Sequence, residues 1–366
     1  MTVVLELAAR GLLLLSLAWL VVVALRRQSA AVRAGVWTAA LAGLLVLPLA
    51  SFAAPAWRVP VWATPAAPPA TAEQVPAVTA MRLSAPAFST VRRGQVDLNK
   101  EWVAVTSVEP ADPTRIDWSV IALLALATGT LVLVARVALS HRRLATIVRA
   151  ASPADTEWAA LAAEVGMSLG LKRSVPVRIT DAMNVPAVAG IRQPVLVLPI
   201  EAREWAPGVR RAVVVHELAH IARRDPLSQL TSQLTCAAYW FVPLVWFGAR
   251  RAAALRERAC DDVVLAAGIR PSSYAESLIA LVRSASAPVS PAVVAMAQPS
   301  RMRERVEAIL NPALRRGRVT RLAIVTTSVV VGVATAALGV IEPTTVEAAA
   351  RPIGVPALSA LLNSKG

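Results

Sequence analysis

Residues with reactive or cross-linking side chains are scarce in this sequence of 366 residues. Its two cysteines, Cys236 and Cys260, are too few for a disulfide framework. It has three histidines, and two of them lie within five residues of each other. The sequence also shows no internal repeat, no Gly-rich phosphate loop with a lysine and no evident helix-turn-helix. These absences argue against a disulfide scaffold, a P-loop nucleotide-binding domain and a DNA-binding fold.

Apolar residues, in contrast, are abundant. They make up 56% of the chain, and the mean hydropathy of +0.57 exceeds that of a typical soluble domain. Four segments reach the ~20 apolar residues that a transmembrane helix needs, namely residues 3–25, 35–54, 118–139 and 321–341. A signal peptide is the competing interpretation of the first segment, but the basic pair Arg26–Arg27 follows the apolar run instead of preceding it. We therefore predict a transmembrane hairpin over residues 1–54 and two later spans.

The net charge of +15 is distributed unevenly along the chain. Residues 26–34 carry three arginines and no acid, and residues 136–321 carry 26 basic and 14 acidic groups, whereas residues 55–117 carry six of each. This alternation follows the positive-inside rule. It predicts a multi-pass protein of the bacterial inner membrane with a cytoplasmic domain at 140–320. The N-terminus, the 55–117 loop and the 342–366 tail are expected outside, and no direct contact with nucleic acid is expected.

Residues 140–320 form the only stretch that can build a sizeable soluble domain. Apolar spacing predicts a helix at 155–169, strands at 175–180, 188–190 and 195–198 with a turn at 190–194, and helices from Pro207 onward. The expected fold class is therefore a mainly α membrane protein with an α+β cytoplasmic domain. The Pro- and Ala-rich loop at 55–117 is expected to be extended, with short strands between residues 88 and 108.

The sequence VVVHELAHIA at 213–222 carries the chemistry. On a helix, His216 and His220 lie one turn apart and project from one face, so both imidazoles can bind one ion. Glu217 lies beside them, where a carboxylate can take a proton from a water activated by zinc. We predict one Zn²⁺ per chain, with His216 and His220 as ligands and Glu217 as the general base.

A third ligand is needed for a catalytic zinc. Glu257, 37 residues beyond His220, supplies a carboxylate, and Asp261 lies one helical turn later on the same face. We predict Glu257 as the third ligand and Asp261 as the hydrogen-bond partner of a ligating histidine. Cys260 is a less suitable ligand, because a thiolate in place of the carboxylate favours a structural zinc site.

The apolar stretch between these two motifs constrains the topology. If residues 227–249 crossed the membrane, His220 and Glu257 would lie on opposite sides and could not share an ion. We therefore predict a membrane-associated hairpin that turns near Pro243.

At this point the sequence resembles the BlaR/MecR-type membrane metallopeptidases of the gluzincin group. The resemblance covers most of the chain and rests on six motifs in order: NVPAVAGIRQPVLVLP at 184–199, HELAHIARRDPL at 216–227, WFVPLVWFGARR at 240–251, RERACDD at 256–262, SYAESL at 273–278 and RMRERVEAIL at 301–310.

The resemblance implies a zincin-like cytoplasmic domain and the ligand, base and partner roles given above. It also implies that Arg223 and Asp225, which follow the zinc helix, hold the hairpin in place. The best-known members sense β-lactams through an outer penicillin-binding domain and promote cleavage of a BlaI/MecI-type winged-helix repressor. Here about 25 residues follow Ile341, without the serine-lysine chemistry of such a sensor, so the resemblance does not extend to a β-lactam input, and sensing through the 55–117 loop, through a partner or by a shorter family branch stays open.

We therefore predict a membrane zinc endopeptidase that cleaves a cytoplasmic protein, with a repressor as the favoured partner. The alternatives are a non-proteolytic transducer that retains the zinc fold and a housekeeping membrane protease. Tyr274 is a candidate donor to an oxyanion, although packing in the core is the plainer interpretation. The basic run at 301–305 is expected along the membrane surface or a helix face, and the sequence leaves a homodimer open.

Overall fold

The computed structural model describes residues 2–53, 57–64, 118–284, 299–317 and 321–347. The described chain is mostly helical. Its α-helices, numbered in chain order, are α1 (Thr2–Ala24), α2 (Ala30–Ala53), α3 (Trp118–Ala150), α4 (Thr156–Ser168), α5 (Pro207–Ala222), α6 (Asp225–Ala238), α7 (Pro243–Ala266), α8 (Pro271–Ser284), α9 (Pro299–Leu310) and α10 (Arg321–Val340). The strands are β1 (Trp57–Thr64), β2 (Ser152–Pro153), β3 (Val177–Thr180), β4 (Ala187–Ala189), β5 (Val195–Pro199) and β6 (Ile341–Glu347).

The chain divides into two compact units. The first consists of Met1–Trp57 and Trp118–Ile341 and contains all ten helices named above. The second consists of Arg58–Asp117 and Glu342–Gly366, and its described part is the two-stranded sheet of β1 and β6. The strands predicted between residues 88 and 108 lie outside the described residues.

Three described helices are long and apolar enough to cross a membrane. They cover Val4–Arg27, Ala30–Ser51 and Trp118–Ala150. In α10 the apolar stretch is Val325–Gly339, which is shorter than the ~20 residues that a span needs, so the fourth span stays a prediction. Helix α2 begins five residues before the predicted start, and α3 continues to Ala150 instead of ending at residue 139. The polar residues after Leu139 mark the end of the apolar run but not the end of the helix.

The N-terminal helices share a buried core with α6 and α7. Trp37 of α2 is 1% exposed, and its ring lies edge-on to Phe247 of α7 at 6.1 Å between centroids. The Thr235 hydroxyl donates to the Leu41 carbonyl at 2.9 Å, and the Tyr239 hydroxyl donates to the Leu44 carbonyl at 2.8 Å. The carbonyls of a largely apolar helix thus receive hydrogen bonds from α6 and the turn that follows it.

A four-stranded sheet in the order β2–β3–β5–β4 supports the soluble part of the first unit. Strands β3 and β5 are parallel, and β2 and β4 pair antiparallel with their neighbours. Gly190, with φ of +90°, follows β4, and a Cβ there would lie 2.4 Å from the Gln193 carbonyl oxygen. The turn therefore requires glycine. The sheet packs with α4, α5 and α8 around a core that includes Trp158, Leu198 and Leu218.

The chain reverses direction between α6 and α7. Helix α6 ends at Ala238, and α7 begins at Pro243, where the fixed φ of proline suits the first helical position. Helix α7 then runs back past both α5 and α6. As a result, its residue Glu257 lies next to the α5 histidines.

Candidate metal centre

Helix α5 presents the two histidines of the VVVHELAHIA motif from one face. Its buried residues include Val214, Val215 and Leu218, which anchor the helix in the core. His216 and His220 lie one turn apart, with ring centroids separated by 5.0 Å. His216 is 8% exposed and His220 is partly buried. The packing of α5 therefore fixes both imidazoles at one inward-facing position.

Glu257 of α7 faces both rings. Its Oε2 lies 3.6 Å from the Nε2 atom of His216, and its Oε1 lies 3.7 Å from the Nε2 atom of His220. Ligand atoms of the three residues all lie within 4.8 Å of one another. Two nitrogens and one carboxylate, contributed by two helices, thus converge on a single point.

The far nitrogen of His220 is held by a carboxylate. Its Nδ1 lies 2.9 Å from the Asp225 Oδ2, which also accepts a hydrogen bond from Arg223 Nε at 3.3 Å. The turn that brings Asp225 back contains Arg224 at φ 58° and ψ 34°, a left-handed conformation that is unfavourable for arginine. Asp225 thus fixes the tautomer of His220, a role that sequence reasoning missed when it assigned this residue to the hairpin.

The far nitrogen of His216 has two partners. The Asp261 Oδ1 lies 3.3 Å away, and the Tyr274 hydroxyl lies 3.0 Å away and donates to Asp261 at 2.7 Å. Tyr274 is 4% exposed and therefore packs in the core. Its hydroxyl lies on the Nδ1 side of His216, away from the Nε2 atom that faces Glu257. This position does not suit the oxyanion donor considered from the sequence, and the geometry gives Tyr274 the task of orienting His216.

Arg305 of α9 completes the cluster. Its guanidinium lies 3.1 Å from Glu257 Oε2 and donates two hydrogen bonds to Asp261, at 2.7 and 3.0 Å. The basic run at 301–305 is expected along the membrane surface or a helix face. Arg305 does lie on a helix face, but that face packs against the cluster, and its side chain is 14% exposed. Arg303, in contrast, is 81% exposed. The two residues are about 200° apart on a helix, so they occupy opposite faces.

The charges of the cluster are strongly coupled. Burial opposes the ionisation of Glu257 and Asp261, but Arg305 and His216 outweigh it, so the pKa of Glu257 is well below its ordinary value and the pKa of Asp261 is about 2. Burial also opposes protonation of His216, but hydrogen bonds to Asp261 and Glu257 raise its pKa to about 10. The two carboxylates therefore favour the protonated form of His216, and a metal cation would compete with that proton.

Cys260 lies beside this centre, on the Nδ1 side of His220. Its sulfur lies 3.3 Å from His220 Nδ1 and 3.5 Å from Asp225 Oδ2, so these three residues form a second set of potential ligands. Burial and the Asp225 charge raise the pKa of the Cys260 thiol well above its ordinary value. A protonated thiol is a poor ligand, and the second set uses the nitrogen that already binds Asp225. The first set is therefore the better metal site.

Glu217 follows His216 on α5 and is partly exposed. Within the described part of the chain, no hydrogen bond or ion pair engages its carboxylate. The group is thus free to interact with a water molecule or a substrate.

The donor set fits zinc. Imidazole nitrogen and carboxylate oxygen are both zinc ligands, and three protein ligands leave a fourth position open in catalytic sites. Each histidine is also backed by a carboxylate at its other nitrogen, as is common for metal-bound imidazoles. A structural zinc site, in contrast, would have four protein ligands.

Comparison with known proteins places the chain in a family. A family model described as BlaR1 peptidase M56 matches residues 6–309, which is most of the chain. The regulatory protein BlaR1 of Bacillus licheniformis is 34% identical over 80 residues, which cover 22% of this chain and 13% of that protein. The relative is therefore matched over a small part of its own length. The family match, in contrast, includes every residue of the proposed centre, and the chain belongs to the M56 family of BlaR1-type metallopeptidases.

Proposed function

We propose that this chain is an integral membrane zinc endopeptidase with a zincin-like domain, which hydrolyses a peptide bond in a cytoplasmic protein as part of signal transduction. The observation that carries the proposal is the convergence of His216 Nε2, His220 Nε2 and the Glu257 carboxylate, with a carboxylate behind each histidine. Three protein ligands of this kind are typical of catalytic zinc sites, in which the fourth position is open to water or substrate.

Different residues of the centre have different roles in hydrolysis. His216, His220 and Glu257 would hold the ion, and zinc, when bound, would act as a Lewis acid on the scissile carbonyl and lower the pKa of a water. Glu217 accepts the proton of the attacking water and passes it to the leaving amine nitrogen. Asp225, Asp261 and Tyr274 keep the two imidazole rings oriented. Arg305 keeps Glu257 and Asp261 ionised.

The substrate class follows from the regulatory relative. The matched protein of Bacillus licheniformis is named as a regulatory protein, so a signalling substrate is favoured over general protein turnover. We infer that a transcriptional repressor of the BlaI/MecI winged-helix type is the best candidate. Its cleavage would connect an event at the membrane to gene expression.

A comparison of new protein N-termini in cells tests the proposal. Cells carrying the native chain should contain termini that are absent with Glu217→Gln, because the amide cannot accept the proton. The matched control is Glu276→Gln, which changes an exposed glutamate on α8 and should leave the termini unchanged. A new terminus in a small DNA-binding protein would identify the repressor. Identical termini for all three chains, with equal membrane abundance and zinc content, would refute constitutive proteolysis.

The topology is part of the proposal. We place the centre in the cytoplasm and the N-terminus outside, because the arginine-rich segments flank the apolar helices on one side. Both native cysteines are buried, so single introduced cysteines can be labelled selectively. In intact spheroplasts, a membrane-impermeant maleimide should label a cysteine at Gln74 but not one at Glu276. Labelling at Glu276 only would reverse the topology.

A further inference from the structure

A cavity of about 440 Å³ lies behind the metal centre, between the α1–α2 connection and helix α7. Five arginines line it, namely Arg26, Arg27, Arg33, Arg258 and Arg315. Two carboxylates, Asp261 and Asp262, also line it. The catalytic and metal-binding roles predicted from the sequence do not require these arginines.

The two carboxylates do not neutralise the arginines of the cavity. Asp261 receives both hydrogen bonds of Arg305, and Asp262 lies 3.6 Å from Arg316 Nε, and neither of these partners lines the cavity. Arg258 is paired with Glu304 at 3.0 Å, but within the described ranges no ion pair engages Arg26, Arg27 or Arg315, so the lining keeps an excess of positive charge. Among the described residues, Arg33 also has a buried Nε atom without a hydrogen-bond partner. A buried donor of this kind favours an acceptor from outside the chain.

The cavity lies where three apolar helices meet the polar part of the protein. Arg26 and Arg27 end the first apolar helix, Arg33 lies in the first turn of α2, and Arg315 precedes the start of α10 by six residues. In a membrane, such helix ends lie at the depth of the phospholipid headgroups. The anion within reach of these arginines is then a headgroup phosphate.

An apolar groove lies further along the same helices. It lies between α1, α2 and α10, has a volume of about 200 Å³ and is lined by Leu17, Val21, Leu25, Val36 and Val330, among others. Leu25 of the groove is next in sequence to Arg26 of the cavity. Val36 of the groove is one helical turn from Arg33. A molecule with an anionic head and an apolar tail would therefore contact both.

We propose that the arginine cavity binds the phosphate of an anionic phospholipid, with an acyl chain of the same lipid in the apolar groove. Basic pockets between transmembrane helices suit anionic headgroups, and each arginine contributes to their attraction. The site lies next to Asp261 and Asp262 of α7, so the lipid would bind directly behind the helix that carries Glu257. The proposal depends on membrane insertion of α1 and α2 but not on proteolytic activity.

Native mass spectrometry of the full-length protein in detergent tests the headgroup site. With dioleoyl phosphatidylglycerol and dioleoyl phosphatidylcholine as probes, the native chain should retain one phosphatidylglycerol preferentially. Arg26→Gln/Arg27→Gln should weaken that binding about tenfold. The matched control, Arg142→Gln/Arg143→Gln, removes an equal charge from exposed positions of α3 and should bind normally. The proposal would be overturned if both double variants lost phosphatidylglycerol binding equally, or if the native chain showed no preference for phosphatidylglycerol over phosphatidylcholine.

Two further measurements separate the lipid from other anions and from misfolding. Inorganic phosphate should displace the lipid only weakly, because it has no acyl chain, and equally tight arginine-dependent phosphate binding would overturn the lipid assignment. Val330→Trp changes a position on the groove that is 56% exposed. It should weaken the binding of dioleoyl phosphatidylglycerol but not that of the short-chain dihexanoyl phosphatidylglycerol. Equal effects on the binding of both lipids would overturn the acyl-chain site. If the arginine pair variant elutes as an aggregate, Arg315→Gln is measured in its place, with an expected loss of about threefold in affinity because one arginine is removed instead of two.

Discussion

Asp225→Asn is the sharpest test of the metal centre, because it changes one oxygen to nitrogen at a position that does not touch the ion. Asp225 is 6% exposed, and its carboxylate lies 2.9 Å from His220 Nδ1. Burial opposes its ionisation, but the His220 hydrogen bond and the Arg223 charge lower its pKa below the ordinary value. The carboxylate therefore makes His220 a more basic ligand, and the amide would not.

The expected loss of zinc affinity is about 10–100-fold, which corresponds to about 1.4–2.7 kcal/mol. A second effect accompanies it, because Arg223 loses an ionised partner and Arg256, 7% exposed, loses a nearby negative charge. We expect the free energy of unfolding to fall by about 1–3 kcal/mol. Zinc affinity is measured by competition with a chromophoric chelator, at a temperature at which the variant is fully folded.

The matched control is Asp181→Asn, which removes the same charge from an exposed position after β3. It should leave both zinc affinity and stability at the native values. The reasoning is refuted if Asp225→Asn binds zinc as tightly as Asp181→Asn does. A loss of stability without a loss of zinc affinity would also refute it, since Asp225 would then support the turn but not the ligand.

Two further predictions concern the ion pairs of the metal-free protein. Arg305→Met leaves Glu257 and Asp261 buried without their cation, so the free energy of unfolding in chelator should fall by about 3–5 kcal/mol. Arg303→Met, on the exposed face of the same helix, should leave the unfolding midpoint unchanged, and equal effects of the two changes would contradict the buried position of Arg305. The pKa of His216 is raised to about 10, so its stabilising contribution is complete below its ordinary pKa of ~6.5 and is lost as pH rises towards 10. The difference in the free energy of unfolding between the native chain and His216→Asn, measured in chelator at a series of pH values, should therefore shrink as the pH rises through that range. A constant or growing difference would be inconsistent with the raised pKa.

Local patterns were sufficient for many of the elements. The apolar spacing at 155–169 predicted α4, which runs from Thr156 to Ser168. Glycine and proline at 190–194 predicted the connection between β4 and β5. The ends of the apolar helices were harder to predict, because hydropathy shows where the apolar residues stop, and a helix can continue past that point. Helix α3 continues through a polar segment to Ala150, since backbone hydrogen bonds do not depend on side-chain polarity.

The candidate site shows the same division between local and distant information. The two histidines are four residues apart, so helical periodicity alone brings them together. Arg305, in contrast, is 44 residues from Asp261, and in sequence it looks like one of several solvated arginines. Only the direction in which α9 packs distinguishes it from Arg303. Tyr274 is one of two tyrosines in the chain, which made it a candidate site residue. Its hydrogen bonds to His216 and Asp261 could not be predicted from sequence spacing.

Helix α7 links the candidate metal centre to the apolar N-terminal helices. Its residues Ala252, Leu255 and Ala259 are buried in the core that contains Trp37 of α2, and its residue Val264 belongs to the core of the sheet. Glu257 lies between Leu255 and Ala259 on the same helix. A change in how α2 packs against α7 would therefore shift the Glu257 carboxylate relative to the histidines of α5, which are anchored in the other core. The geometry of the proposed zinc site thus depends on contacts made by a helix that is long and apolar enough to cross a membrane.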